Sequence, residues 1–439
     1  MSAFFVSKSH QQGVIMRTSV RELKEKIGQE VKLYLTLETL RDQKHLQFIL
    51  GKDKSGTIQL VISKSQVANH EDISTLLPGS AFIVIGKAIE ATQSKTFGIE
   101  IQVESLEIVS KAEVYPIAQE SAIDLRFDNR AVDLRFPRQQ LMLKIRGAFM
   151  QACREHLIAK EYTEISSPRL LGTASESGSQ VFKVDYFDQT AYLAQSPQFY
   201  KQIAVVSGLE GVFDIGSPIF RAENSVSTRH LTEFTGVDVE VAWIFSTMEI
   251  MKIEEEMIVY ALGKLEPYKE EVKSLFGIEL LTKPSIHYMT LDEAKEILKE
   301  HKVMSLKKKE DLPDEGERML YEIMKKDLIF ISEYPIEKRP FYHKWNREKG
   351  TTDSFDLIFR GIEITSGAVR EENYAKVCEQ ATEKGLDLDP LSQYLQAFKA
   401  GAPVHAGFGI GLERIISRLL GITVKESSMF PRDPARLTP

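Results

Sequence analysis

Cysteine is scarce in this chain, with only Cys153 and Cys378, far apart in segments whose patterns favour helices. We therefore expect buried thiols rather than a disulfide or a cysteine-based zinc site, as in the reducing cytosol. No apolar run approaches the roughly 20 residues that a membrane-spanning helix needs. The first residues also lack the charged head and apolar stretch of a secretory signal, so we expect a cytoplasmic protein.

The chain has no excess of basic residues either. Its net charge of −7 argues against indiscriminate binding to nucleic acid, although a local basic patch can still bind one specific RNA. Hydrophobic residues make up 43% and charged residues 27% of the sequence, which is the balance of a globular protein. The length of 439 residues suits a small domain beside a large one.

Short apolar or alternating runs, separated by polar turns, fill the N-terminal quarter. Residues 31–37, 58–62 and 81–85 are the clearest strand candidates. About five strands in roughly 100 residues predict a small closed barrel, of which the OB-fold is the common nucleic-acid-binding form. A β-sandwich would give the same pattern. We assign residues 1–110 to this domain.

The sequence pattern after the predicted barrel changes from strands to a charged segment and then to a helix. Acidic and basic residues alternate in residues 111–136 with few apolar neighbours, which predicts a hinge held by ion pairs. Apolar residues then recur every four positions from Leu141 to Leu157, which predicts one amphipathic helix. Residues 137–439 mix strands with helices and form the larger predicted domain, with a charged helical insertion at about 270–330.

A strand–loop–strand unit carries the first candidate site. Arg221 and Glu223 precede a polar loop, and Arg229 and Phe234 follow it. A guanidinium at Arg221 can donate two hydrogen bonds to an α-phosphate and stabilise charge that develops there. Phe234 can stack on adenine, and Glu223 can accept from its exocyclic amine. An Arg-x-Glu pair alone is more typical of a surface hairpin, but the whole unit favours nucleotide binding.

A glycine-rich strand carries the second candidate site. Gly407, Gly409 and Gly411 alternate along it, and a helix with Glu413 and Arg414 in its first turn follows. Glycines let a nucleotide approach the backbone closely. Arg414 can cover the second face of adenine and reach the γ-phosphate, helped by the helix N-terminus. The spacing differs from that of the dinucleotide-binding fingerprint.

Two carboxylates form the third candidate site. Asp356 and Glu363 flank a predicted turn at Arg360 and Gly361. Carboxylates on neighbouring strands can hold Mg²⁺ between ATP phosphates. By spacing alone, solvent-facing acids are the simpler interpretation.

Together these segments resemble class II aminoacyl-tRNA synthetases. The unit around Arg221 is similar to their motif 2, and the glycine strand is similar to motif 3. The helix at 141–159, with the strand that ends at Pro168, resembles motif 1, which is usually a dimer interface. Three further segments give the closest match, to aspartyl-tRNA synthetases of the archaeal and eukaryotic type: residues 194–202, 235–240 and 429–439.

The resemblance implies an α+β protein: an anticodon-binding OB-fold barrel, then a catalytic domain whose central antiparallel sheet is flanked by helices, in a homodimer. It implies that ATP activates an amino acid, with Arg221 and Arg414 as catalytic residues, and that the adenylate is transferred to the 3′ end of a tRNA. The Mg²⁺ ligands implied are Asp356, Glu363 and Ser366. The ATP-binding residues implied are Arg221, Glu223, Arg229, His230, Leu231, Phe234, Glu363, Gly411, Glu413 and Arg414.

The same resemblance implies aspartate as the amino acid. Lys201 and Arg370 would both face its side chain, and two cations suit a carboxylate better than an amide. The aspartate-binding residues implied are Glu176, Gln198, Lys201, Arg221, Ser366, Arg370 and His405. Asparagine stays an alternative, because asparaginyl enzymes share motif 2. An amide-forming ligase or an RNA-binding paralogue with the same fold is the other alternative.

The predicted barrel implies the tRNA partner. Phe48 is similar to the residue on which an anticodon base stacks, although a core aromatic would look the same, and Gln59 can read a base edge. This barrel departs from its relatives at residues 33–37, which lack a tryptophan, and at Lys52, where an arginine is common. The sequence therefore predicts tRNA-Asp as partner and leaves tRNA-Asn open.

Overall fold

The computed structural model describes residues 16–91, 98–173, 181–222 and 229–438. The chain folds into two compact units, the first ending at Glu120 and the second beginning at Ser121. Among the described residues, no helix combines the length and the apolar character needed to span a bilayer.

Five strands form the first unit: β1 (Glu30–Asp42), β2 (Leu46–Asp53), β3 (Gly56–Ser63), β4 (Ala81–Glu90) and β5 (Ile99–Ser110). They close into a barrel in the order β1-β2-β3-β5-β4. Strands β3 and β5 pair in parallel, and the other neighbours are antiparallel. A 3-10 helix, Val20–Glu25, precedes β1, and α1 (His70–Ser74) lies between β3 and β4.

Successive side chains of the barrel strands point alternately into the barrel and outward. Ile49 lies in the barrel core, whereas Phe48 is only half-buried and lies opposite Val61 on the other face of β2. The alternative that Phe48 is a core aromatic is therefore disfavoured. Gln59 lies on the same outer surface, where its amide donates to Glu100 Oε2 at 3.2 Å.

The described part of the second unit contains thirteen strands: β6 (Thr163–Glu164), β7 (Leu170–Leu171), β8 (Lys183–Tyr186), β9 (Gln189–Leu193), β10 (Gly211–Phe220), β11 (Glu233–Ala242), β12 (Ile286–Thr290), β13 (Leu328–Ser332), β14 (Trp345–Asn346), β15 (Thr351–Thr352), β16 (Ser354–Phe359), β17 (Ile362–Val369) and β18 (His405–Gly411). Eight of them form a large sheet in the order β12-β13-β16-β17-β18-β11-β10-β6. Neighbouring strands of this sheet are antiparallel, except that β12 with β13 and β10 with β6 are parallel. The predicted α+β class, a barrel followed by an antiparallel sheet with helices, is confirmed.

Across residues 121–173, 181–222 and 229–438, eleven α-helices accompany these strands: α2 (Ile123–Asp128), α3 (Arg130–Asp133), α4 (Pro137–Ala159), α5 (Gln198–Val206), α6 (Thr247–Gly263), α7 (Lys269–Phe276), α8 (Leu291–Glu300), α9 (Asp314–Met324), α10 (Tyr374–Glu383), α11 (Ser392–Lys399) and α12 (Leu412–Leu420). Helix α4 begins with a proline, whose fixed φ and missing N–H suit the first helical position. Its predicted apolar stripe, from Leu141 to Leu157, lies in the main core.

The structure differs from two predicted segment boundaries. Residues 121–136 of the predicted hinge belong to the second unit, where Arg130 donates to the carbonyl oxygens of Ser428 and Met429 at 2.7 and 2.8 Å. The predicted helical insertion at 270–330 also contributes β12 and the start of β13 to the large sheet. Charged runs on the exposed faces of α8 and α9 conceal these short strands in the sequence.

Strand β11 has two chemically different faces. Val237, Val239 and Val241 face the apolar core beneath the sheet. Asp238 and Glu240 lie on the opposite face, and both are buried as well. The alternation in the sequence therefore separates an apolar core from a buried polar site.

Helix α6 places an acid in the main core. Glu254 is fully buried, and its Oε1 accepts from the hydroxyl of Thr365 on β17 at 2.5 Å. Its Oε2 has no hydrogen-bond partner in the described part of the chain. Burial raises the pKa of Glu254 to about 8. The side chain is therefore protonated at neutral pH, because a charged carboxylate is poorly solvated there.

We expect Glu254→Gln to change how stability depends on pH. The folded-state pKa lies above the unfolded value, so the stability that Glu254 contributes is fully present below about pH 4.5 and is lost as pH rises to about 8. The native protein should lose roughly 2 kcal/mol relative to the variant between pH 6 and pH 8. Urea unfolding at both pH values measures this, and parallel pH profiles would contradict it.

Candidate active site

A cavity of about 280 Å³ opens on the polar face of the large sheet. It collects most of the predicted site residues, which come from separate segments of the sequence: Gln198, Lys201, Arg221, Arg229, His230, Leu231, Phe234, Glu363, Ser366, Arg370, Gly411, Glu413 and Arg414. Predicted residues Glu176 and Glu223 lie outside the described residues. Asp356 and His405 are described but do not line the cavity.

Lys201, on α5, is almost completely buried at the floor of the cavity. Its ammonium donates to Asp238 Oδ1 at 3.1 Å and to the carbonyl oxygen of Phe408 at 2.9 Å. Glu240 Oε2 lies 3.5 Å away. Such a charge is tolerated in the interior only because carboxylates and carbonyls surround it. Burial raises the pKa of Asp238 despite the neighbouring Lys201.

Arg370, at the end of β17, is the second buried cation. Its Nε and Nη2 donate to the two carboxylate oxygens of Glu240 at 2.8 and 3.1 Å. Burial alone would raise the pKa of Glu240, but Arg370 and Lys201 hold that pKa below its ordinary value. The third nitrogen of Arg370, Nη1, makes no hydrogen bond to a described residue. The guanidinium thus keeps the two N–H groups of Nη1 for a ligand.

His405 differs from its predicted role at the pocket wall. It is fully buried behind the cavity, where its Nε2 is 3.0 Å from the amide nitrogen of Gln202 and its Nδ1 is 2.8 Å from the carbonyl oxygen of Pro403. Burial lowers the pKa of His405. These partners fit a neutral ring that donates from Nδ1 and accepts at Nε2. His405 therefore supports Gln202 on α5 and does not touch the pocket.

The nucleotide end of the cavity is shaped by arginines and one phenylalanine. The guanidinium carbon of Arg221 lies 5.7 Å from the centre of the Phe234 ring. Arg414 Nη1 donates to the carbonyl oxygen of Glu363 at 2.7 Å. Glu413 accepts from Arg146 on α4 and from the backbone N–H of Thr235, at 2.8 and 3.0 Å. The arrangement can hold a planar base beside Phe234 with cations over a polyanion.

The predicted metal ligands lie on β16 and β17, where a bulge brings them to one face. Asp356 pairs with Ser366 and Ile358 pairs with Glu363, so Ile364 is the extra residue on β17. A bulge of this kind redirects a side chain. Loss of solvation, followed by the charge of Asp356, raises the pKa of Glu363 to about 7, although part of the Glu363 side chain stays exposed. A cation bound beside these two acids would relieve their repulsion.

Asp356 is engaged by a residue that the sequence analysis missed. Arg339 donates to both carboxylate oxygens, at 2.9 and 2.5 Å, and to the hydroxyl of Ser366 at 2.7 Å. The guanidinium also stacks on Tyr334 at 3.8 Å. Carboxylate and hydroxyl oxygens suit a hard cation such as Mg²⁺. Because Arg339 occupies both oxygens of the buried Asp356, Glu363 and Ser366 are the more accessible ligands.

Residues 122–434 match the family described as tRNA synthetases class II (D, K and N). The chain belongs to this family. An aspartate–tRNA(Asp) ligase of Pyrococcus furiosus is 37% identical in an alignment of 431 positions that covers 94% of this chain and 97% of the relative. An aspartate–tRNA(Asp/Asn) ligase of Thermus thermophilus is 37% identical and covers 97% of this chain and 100% of the relative. The protein is thus an aminoacyl-tRNA ligase of class II.

Solved structures of this class share the fold. The asparaginyl-tRNA synthetase of Pyrococcus horikoshii, complexed with asparaginyl-adenylate, aligns with a TM-score of 0.91 at 32% identity and covers 97% of this chain and 100% of that chain. The aspartyl-tRNA synthetase of Entamoeba histolytica aligns with a TM-score of 0.83 at 28% identity, over 100% of this chain and 96% of that chain. Fold alone therefore does not separate aspartate from asparagine.

Sequence reasoning missed three charged residues of this synthetase site. Asp238 and Glu240 were visible as the acidic half of an alternating strand, which is the signal that could have identified them. Arg339 has no such signal, because it lies between a 3-10 helix at Ile336–Lys338 and a proline. Its role depends on a contact with β16 that sequence spacing does not encode.

We expect Lys201→Met to destabilise the synthetase strongly. The substitution leaves Asp238 and Glu240 buried with only part of their positive charge, so the free energy of unfolding should fall by about 3 kcal/mol. Lys299→Met is the matched control, because the Lys299–Glu296 pair is exposed and should contribute less than about 0.5 kcal/mol. Denaturant unfolding measures both variants. Equal, small losses would contradict the account of the buried network.

Proposed function

We propose that the protein activates L-aspartate with ATP, forming aspartyl-adenylate, and transfers the aspartyl group to the 3′ end of tRNA-Asp. The names of the relatives from Pyrococcus and Thermus support both aspartate and tRNA. The observation that carries the choice of aspartate is Arg370 Nη1, which makes no hydrogen bond to a described residue and belongs to a floor where two cations and two carboxylates compensate one another. An added carboxylate gains a cationic donor there, whereas an amide offers Nη1 only a neutral acceptor.

The buried charges set the orientation of the amino acid in this proposal. Lys201 and Asp238 are paired at the floor, and Arg370 and Glu240 are paired beside them. The side-chain carboxylate of aspartate meets Arg370 Nη1, close to Lys201, and the α-carboxylate points toward Arg221. Water is excluded by the closed floor, which strengthens each of these contacts. The predicted contact of Glu176 with the α-ammonium stays a prediction.

The activation step needs positioning and charge balance rather than a protein nucleophile. The aspartate α-carboxylate attacks the α-phosphorus in line and pyrophosphate leaves. Arg221 stabilises the charge on the α-phosphate, and Arg414 and Arg229 hold the outer phosphates. Adenine stacks on Phe234, beside His230 and Leu231. Mg²⁺, held by Glu363 and Ser366 with Asp356 behind them, would neutralise phosphate charge when bound.

The second step and the assembly follow the same resemblance. The 3′-hydroxyl of the terminal adenosine attacks the mixed anhydride, and AMP leaves. Phe48 and Gln59 on the barrel surface are proposed to contact anticodon bases, by stacking and by a hydrogen bond. We further propose a cytoplasmic homodimer in which α4 lies at the interface.

Two assays on the purified protein test this function together. ATP–pyrophosphate exchange should favour aspartate over asparagine by roughly 10³-fold or more, because a site matched to a charged partner rejects the near-isostere. Labelled aspartate should then charge a tRNA-Asp transcript. Stronger exchange with asparagine would overturn the choice of amino acid, and exchange without charging of any tRNA would indicate an amide-forming ligase.

A tRNA-Asn transcript in the same charging assay decides the remaining question of tRNA selectivity. The relatives differ in this respect, because the Pyrococcus furiosus enzyme is named for tRNA-Asp and the Thermus enzyme for both tRNAs. Charging of tRNA-Asp alone would identify a discriminating enzyme. Charging of both would identify a relaxed enzyme whose aspartyl-tRNA-Asn requires a further amidation step.

A further inference from the structure

We propose that Glu317, on α9, is a positioning residue for ATP that orients the guanidinium of Arg229, and that Asp314 is the exchangeable partner which the ATP phosphates replace. This inference rests on the proposed role of Arg229 in binding ATP. It assigns a function in the nucleotide site to a helix that the sequence analysis treated as a charged insertion.

The contacts of Glu317 converge on one oxygen atom. Its Oε2 accepts from Arg229 Nη2 at 2.5 Å and from the backbone N–H of Glu363 at 2.8 Å. The side chain of Glu317 is 8% exposed. A buried carboxylate that accepts two donors is held in a single geometry, because losing either donor leaves its charge poorly solvated.

The second nitrogen of Arg229 has a different kind of partner. Nη1 lies 2.5 Å from Asp314 Oδ1, but the Asp314 side chain is 68% exposed. Pairs that are open to water contribute little, because solvent competes for both charges. The two acids of α9 thus bind the two terminal nitrogens of one guanidinium with unequal strength. An incoming phosphate can replace Asp314 at Nη1 while Glu317 retains Nη2.

The same contacts connect the two arginines of the nucleotide site. The backbone N–H of Glu363 donates to Glu317, and the backbone carbonyl of Glu363 accepts from Arg414 Nη1 at 2.7 Å. The backbone of Glu363, at the start of β17, therefore positions both arginines: Arg414 directly, and Arg229 through Glu317. Since charge stabilisation depends on donors that are already in place, this arrangement sets the spacing of the two cations before ATP arrives.

Direct binding of ATP, measured by titration calorimetry, tests the inference without depending on which amino acid the enzyme activates. In Glu317→Gln the amide oxygen can still accept from Glu363, but the charge that holds Arg229 is gone. We expect the dissociation constant for ATP to rise at least tenfold. Aspartate KM in the exchange assay should stay within twofold, a split that general damage to the fold would not give.

Asp314→Asn is the matched control on the same helix and the same guanidinium. We expect its ATP dissociation constant to stay within twofold of the native value or to fall, because Asp314 leaves Arg229 when phosphate binds. If both acids only competed with ATP, both variants would bind ATP more tightly, and the inference would be wrong.

The double variant Arg229→Gln/Glu317→Gln shows whether Glu317 acts through Arg229. Once Arg229 is absent, adding Glu317→Gln should weaken ATP binding by less than twofold. A further tenfold loss in that background would place the effect of Glu317 elsewhere. An unchanged dissociation constant in the single Glu317→Gln variant would overturn the inference in the same way.

Discussion

The site depends on the mutual compensation of four buried charges, those of Lys201, Asp238, Glu240 and Arg370. Each ion alone would be too costly to bury, since removing a charge from water costs several kcal/mol even in a relaxed protein interior. Held together, they form a floor with fixed hydrogen-bond directions, in which Arg370 Nη1 makes no hydrogen bond to a described residue. We regard this floor as the source of amino-acid selectivity, because it holds Arg370 Nη1 in a fixed direction. A carboxylate at that position accepts from a cationic donor.

The large antiparallel sheet makes this compensation possible. Adjacent strands bring Asp238 on β11 beside Gly409 on β18, where a glycine leaves room for the carboxylate. The side chain that a larger residue at Gly409 would add lies only 2.9 Å from Asp238 Oδ1. The glycines of the motif 3 strand thus make space for the acids of the neighbouring strand as well as for the nucleotide.

Much of the fold and the site could be predicted, because their signals are local. The stripe from Leu141 to Leu157 has helical spacing, and the turn at Arg360 and Gly361 follows from two strand patterns. Both residues have positive φ, at 46° and 82°, which is the geometry of a tight hairpin turn. The motifs around Arg221 and Arg414 are also local in the sequence, and they predicted the nucleotide-binding residues.

The unpredicted features depend on contacts between distant segments. The role of Arg339 follows from its ion pair with Asp356. The role of Glu317 follows from its contacts with Arg229 and the backbone of Glu363. His405 was expected at the pocket wall because of the family resemblance, but its burial behind Gln202 depends on how α5 packs on β10 and β11. Such pairings are set by tertiary structure, and neither composition nor periodicity encodes them.

In the proposed function, the buried charge pair of Glu240 and Arg370 selects the carboxylate. The most direct test is the ratio of kcat/KM for aspartate to that for asparagine, in ATP–pyrophosphate exchange, for the double variant Glu240→Gln/Arg370→Gln. Both charges are removed together, so no uncompensated ion is left in the interior. We expect the ratio to fall by roughly 100-fold or more. A ratio equal to that of the native protein would contradict it.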